Sequence, residues 1–158
     1  MREIIFRGKR IDNGEWVYGV PIYNQGSGKD KYDAFILKTG DEFDSNWRDN
    51  ANIRSDGAGY FVIDTGIIPV IDNSISQFTG LTDKNGNKIF EGNIVHAEIG
   101  DGKYPASYEG LDKNGKIIWD YDDCRFVLYT DENGYNDLSK CDDICVIGNI
   151  HDNKELIK

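Results

Sequence analysis

The sequence predicts an all-β protein built mainly from antiparallel hairpins, with few and short helices. Three observations carry that expectation. The dipeptide Asn-Gly occurs four times, at Asn13-Gly14, Asn85-Gly86, Asn114-Gly115 and Asn133-Gly134. A type I′ hairpin turn needs positive φ at two successive residues, and this pair adopts it at little steric cost. Short runs of β-branched and aromatic residues flank these pairs, the composition that fits a pleated, half-buried surface. Finally, no window of eleven or more residues keeps apolar side chains at i, i+3, i+4 and i+7, so a long amphipathic helix is excluded.

Taken in order, Ile4-Ile5-Phe6 enters the first turn and Trp16-Val17-Tyr18-Gly19-Val20 leaves it. Ala34-Phe35-Ile36-Leu37 and Tyr60-Phe61-Val62-Ile63 read as the next strands, separated by a weakly patterned polar loop over 39–59 that holds Trp47. Ile67-Ile68-Pro69-Val70-Ile71 is apolar but interrupted by proline. Proline has no N–H for a central ladder, so this run belongs at an edge or a strand start, where a partner chain can cover it. Lys88-Ile89-Phe90 and Asn93-Ile94-Val95-His96-Ala97 follow the second turn. Lys116-Ile117-Ile118-Trp119 and Arg125-Phe126-Val127-Leu128-Tyr129 flank an acidic link, Asp120-Tyr121-Asp122-Asp123, and Ile144-Cys145-Val146-Ile147 closes the set. Any helix is short and falls between Asp44 and Arg54 or after Asn153.

Length and charge bound the function. A chain of 158 residues forms one compact domain or two small ones and folds without a disulfide or metal. No apolar run reaches a membrane span, the N-terminus has no signal-peptide core, and three cysteines fit a reducing cytoplasm. The net charge of −10 is uneven: residues 1–40 carry seven basic and five acidic groups, residues 91–158 seven and fifteen. The acidic part repels a phosphate backbone, which disfavours nucleic acid as a partner. The basic cluster Arg2, Arg7, Lys9 and Arg10 stands apart from it.

Chemical motifs are sparse. Cys141 and Cys145 form one short-spaced ligand pair, with Cys124, His96 and His151 elsewhere, whereas structural zinc sites use two such pairs. Asp131-Glu132-Asn133-Gly134-Tyr135-Asn136 fails the calcium-loop pattern and reads as a hairpin turn. There is no nucleophile elbow, and Gly26-Ser27-Gly28-Lys29 is too short for a phosphate-binding loop. A non-enzymatic protein without cofactor or metal is expected. The candidate ligand-binding residues are Arg7, Lys9 and Arg10, which can meet phosphates, with Trp16 and Tyr18 stacking on a base.

Three blocks carry a family resemblance. They are Arg2–Arg10 with Gly14–Gly19, the long block Ser76–Val95, and Val146–Leu156. Together they resemble the YopX family of phage and prophage proteins, with one departure: Asn93 stands where the family commonly has aspartate. The resemblance implies a β-rich phage protein that assembles through intertwined β elements in the bacterial host's cytoplasm, and it brings no reaction, cofactor or catalytic residue. Within it, Gly80, Gly86 and Gly92 read as a bulge, a turn and a barrel entry, while Gln77, Thr79, Asp83 and Asn149 serve turn backbone. Residues 76–158 then read as a small SH3-like barrel and residues 1–75 as an extended β region suited to subunit contacts.

The function expected is therefore that of a homo-oligomeric binding protein, sequestering a small anionic host ligand such as a signalling nucleotide. Alternatives are an acidic inhibitor of a host protein that mimics nucleic acid, a nucleic-acid-binding small barrel, and a hydrolase using scattered carboxylates.

Overall fold

The computed structural model describes residues 3–23, 34–38, 54–55, 61–62, 66–99 and 111–157. The polar loop expected over 39–59 lies outside these except for Arg54–Ser55, as do Trp47 and the Gly26–Lys29 tip. The strands are β1 (Phe6–Lys9), β2 (Trp16–Tyr23), β3 (Ala34–Lys38), β4 (Arg54–Ser55), β5 (Phe61–Val62), β6 (Ile67–Pro69), β7 (Ser76–Thr82), β8 (Lys88–Phe90), β9 (Asn93–Ile99), β10 (Leu111–Asp120), β11 (Arg125–Thr130), β12 (Gly134–Asp137) and β13 (Cys141–Asn149). The class is all-β, as the turn signals indicate. Among the described residues, helical structure is confined to single 310 turns at Asp72–Ser74, Leu138–Lys140 and Lys154–Ile157, the last where a short helix after Asn153 is expected. Among the described residues no helix is long and apolar enough to cross a membrane.

Two compact units divide the chain: Ile5–Ile75, and Met1–Ile4 together with Ser76–Lys158. In the first, β6, β3, β2 and β1 lie side by side in that order, each pair antiparallel. The proline-containing β6 takes the edge, because Pro69 cannot bond outward on both sides. One face is apolar and buried: Val17, Ala34, Ile36 and Val70 form its core, with Phe6, Ile68 and Ile75 packed against them. A buried serine locks the end of this sheet. Ser74 Oγ accepts the Lys9 N–H at 2.8 Å and donates to the Ile71 carbonyl at 2.5 Å, while the Ile71 N–H bonds to the Lys9 carbonyl at 2.8 Å.

In the second unit the hairpin β7–β8 leads into a five-stranded antiparallel meander ordered β12-β11-β10-β9-β13, the last strand returning beside the first. Ile89, Val95, Ala97, Ile117, Phe126, Leu128 and Leu138 fill its core. Closure into a barrel is not among the described ladders, in which β12 and β13 are edges. Gly80 has φ 92 where the β7–β8 register slips between Phe78 and Thr82, so it is the bulge that the sequence suggests. Three of the four Asn-Gly pairs lie at turns, but only their glycines have positive φ and the asparagines do not, so these are not the type I′ turns that the sequence suggests. The fourth pair is not at a turn: Asn114 and Gly115 lie inside β10, opposite His96 and Val95. Glycine is needed there for proximity, since a Cβ on Gly115 would stand 2.6 Å from both Leu128 Cδ1 and the Tyr129 carbonyl oxygen. Local dipeptide chemistry cannot separate a turn glycine from one admitting a neighbouring strand.

Candidate functional site

Directly opposed residues in an antiparallel pair share a face. Arg7 lies opposite Tyr18 and Lys9 opposite Trp16, so four of the five sequence-predicted residues occupy the outer face of the N-terminal sheet. Arg10 does not join them. Alternation turns it the other way, and its guanidinium is held by Asp12 in the turn, with Nε to Oδ1 at 2.9 Å and Nη2 to Oδ2 at 2.6 Å. That hydrogen bond holds the Asp12 carboxyl below its ordinary range and raises Arg10 above its own.

Arg7 is nearly covered, at 8% exposure. Its guanidinium lies 4.3 Å from the centre of the Trp16 ring, a cation–π contact that gains from the exclusion of water. The predicted cationic cluster is thus partly spent inside the protein. Beyond Arg7 the same face is apolar and open: Tyr18, Val20, Ile22 and Ile67 are 47, 50, 37 and 42% exposed. Val20 faces Leu37 and Ile22 faces Phe35, while Leu37 faces Ile67 on the edge strand, so the pairing makes these residues one continuous surface. The sequence shows the apolar β6 edge but not this continuity, which depends on the β2–β3–β6 register.

A second feature was not singled out from the sequence. In the C-terminal unit a groove of about 330 Å³ is lined by Lys113, Lys116, Tyr129, Glu132, Leu156 and Ile157, among others. Its strand walls follow from folding β10 onto β11 about the acidic link, which sets Lys116 opposite Tyr129. The sequence marks the hairpin, but neither the register that sets Lys116 opposite Tyr129 nor the arrival of Leu156 and Ile157 was readable from it.

The cysteines do not converge. Cys124 is exposed, Cys145 half-buried and Cys141 buried, and among the described residues no group of three or more His, Cys, Asp or Glu side chains could hold a metal. Burial, aided by Asp137 and Asp142, pushes the Cys141 thiol up to about 11, so it stays protonated at neutral pH.

Comparison with known proteins bears on this architecture. The family model described as YopX protein matches residues 5–158. The chain belongs to the YopX family. Among solved structures, the crystal structure of protein EF1440 from Enterococcus faecalis is similar, with 26% sequence identity, all of both chains covered and a TM-score of 0.49. No curated protein is significantly similar to the chain.

In this YopX-family chain the long Ser76–Val95 block is a hydrogen-bonding hub. Thr79 Oγ1 donates to the Ile89 carbonyl at 2.9 Å and accepts the Leu81 N–H at 3.2 Å. Asp83 Oδ1 accepts the N–H groups of Asn85 and Asn87, at 2.9 and 2.8 Å. Its Oδ2 accepts the Asn87 side chain and the Val146 N–H, both at 3.1 Å. Burial alone would raise the Asp83 pKa, but these donors outweigh it and hold the carboxyl below its ordinary range. Gln77 contributes its carbonyl to the Glu91 N–H at 2.9 Å rather than a side-chain bond.

Asn93 is only 3% exposed, and its amide does two jobs. Oδ1 accepts the Phe90 N–H at 2.7 Å and Nδ2 donates to the Gly148 carbonyl at 3.1 Å. An ionised aspartate could make only the first bond. Asn149 caps the final turn, its Oδ1 accepting the His151 and Asp152 N–H groups at 3.0 Å. Thr79, Asp83, Asn93 and Asn149 thus each spend side-chain polar atoms on backbone groups.

Proposed function

We propose that this YopX-family chain is a non-enzymatic phage or prophage accessory protein that works as a homo-oligomer, associating through the outer face of its N-terminal sheet. The observation behind this reading is the exposed row of Tyr18, Val20, Ile22 and Ile67. It joins an edge strand to the centre of a sheet whose opposite face is already buried. A contiguous apolar surface of this kind on a chain of net charge −10 is a contact surface rather than a scatter of single side chains. The cationic residues are the weaker part of the notion of a nucleotide sponge, because Arg7 is stacked on Trp16 and Arg10, turned away from that face, is engaged by Asp12.

The test is sedimentation of the wild type against a Val20→Asp, Ile22→Ser double variant. The expected result is an oligomer that dissociates in the variant with its β-rich circular dichroism unchanged. A monomeric wild type overturns the reading. Calorimetry of Arg7→Ala and wild type against a cyclic and linear nucleotide panel decides the sponge form separately.

A second reading, inhibition of a host protein by nucleic-acid mimicry, is favoured by the exposed acidic pairs Asp122-Asp123, in the turn after β10, and Asp142-Asp143, in β13. It predicts salt-sensitive competition with DNA for a host nuclease or regulator.

A further inference from the structure

The groove in the C-terminal unit has walls of two kinds, and their chemistry differs from that of the unit around it. Residues 91–158 hold fifteen acidic and seven basic groups, yet two lysines of β10 line this one groove. Their charges are not equivalent. Lys113 is ion-paired with Glu132. Lys116 belongs to no ion pair among the described residues; its ammonium instead stands 4.9 Å from the centre of the Tyr129 ring. The Tyr129 ring is itself fixed by an edge contact with Tyr135, ring centres 5.4 Å apart. Leu156 and Ile157 form the apolar side.

A volume of about 330 Å³ lies within the roughly 300–1,000 Å³ typical of small-molecule sites, which combine apolar walls with a few placed polar groups. We propose that this groove binds a small aromatic carboxylate, its acid group on Lys116 and its ring against Tyr129, Leu156 and Ile157. A single negative charge is specified because Asp131 and Glu132 also line the groove. A phosphate monoester, nearly doubly charged at neutral pH, meets more repulsion there than a carboxylate. The residues of this site all belong to the C-terminal unit.

The experiment is a titration of the full chain, followed by amide nitrogen–proton NMR, with benzoate, phenyl phosphate and benzyl alcohol as probes. Benzoate is expected to shift the amides of residues 113–116 and 129–132, phenyl phosphate to bind more weakly, and neutral benzyl alcohol weakest of all. Lys116→Gln should weaken benzoate about tenfold or more, the loss of one charge-assisted contact. Lys116→Arg should retain most of the binding, and a dispersed spectrum shows that each variant is folded. Absence of shifts with benzoate, equal binding of benzyl alcohol, or benzoate affinity unchanged in Lys116→Gln each overturns the proposal. Phenyl phosphate binding tighter than benzoate overturns the carboxylate assignment.

Discussion

Replacing Asp83 by asparagine changes one atom's hydrogen-bonding role and leaves the shape of the side chain intact. The amide oxygen can still accept the Asn85 and Asn87 N–H groups that Oδ1 holds at 2.9 and 2.8 Å. The new NH2 group stands where Oδ2 accepted the Val146 N–H and the Asn87 side chain, both at 3.1 Å. Asn87 can flip its amide and offer an oxygen, whereas the Val146 N–H is left facing another donor. One orphaned N–H costs about 1–3 kcal/mol, and loss of charge from the remaining bonds adds roughly 0.5–1 kcal/mol. A loss of about 2–4 kcal/mol is expected at pH 7, measured by urea unfolding, with faster hydrogen exchange at the Val146 amide.

The pH dependence sharpens the test. The folded Asp83 pKa is depressed, so its stabilisation is fully present above the unfolded value near about 3.9 and fades as pH falls through the lower folded value. The gap between wild type and variant should therefore narrow below about pH 4. Equal stability at pH 7, or a gap unmoved by acid, refutes the assignment of Asp83 as the pin between the β7–β8 turn and β13.

Further expectations follow from other contacts. Asn93→Asp places a carboxylate against the Gly148 carbonyl; it should cost about 1–3 kcal/mol at pH 7. Its folded pKa is expected to rise, so the penalty should vanish at acid pH, where the protonated group donates again; urea midpoints across pH check this. Gly115→Ala drives a Cβ to 2.6 Å from Leu128 Cδ1 and the Tyr129 carbonyl oxygen, an overpacking expected to cost about 1–3 kcal/mol in thermal unfolding. Ser74→Ala removes the fully buried hydroxyl that serves Lys9 N–H and the Ile71 carbonyl, with an expected loss of about 1–3 kcal/mol. Val20→Asp, on the open face, should leave monomer stability within about 0.5 kcal/mol while changing the sedimentation coefficient.

Local chemistry set out the strands and most of their ends. Positive φ at Gly86 and Gly134 was readable because glycine alone reaches that conformation without steric cost, although the asparagines before them do not share it. Pro69 puts β6 at an edge because it lacks an N–H, and the bulge at Gly80 and the cap at Asn149 were readable for similar reasons. Each of these properties resides in one or two residues, so no partner is needed to read it.

Register is a property of two strands at once, and it decided what the sequence left open. It placed Asn114-Gly115 inside β10, where the crowding of Leu128 and not a turn explains the glycine. It separated Arg10 from Arg7 and Lys9, because alternation and Asp12 claimed its guanidinium, and it buried Arg7 against Trp16. It also aligned Tyr18, Val20 and Ile22 with Ile67 and set Lys116 opposite Tyr129. Side-chain type and spacing fixed what this chain is made of; the faces it presents depend on which residues stand opposite, information that exists only once distant segments pair.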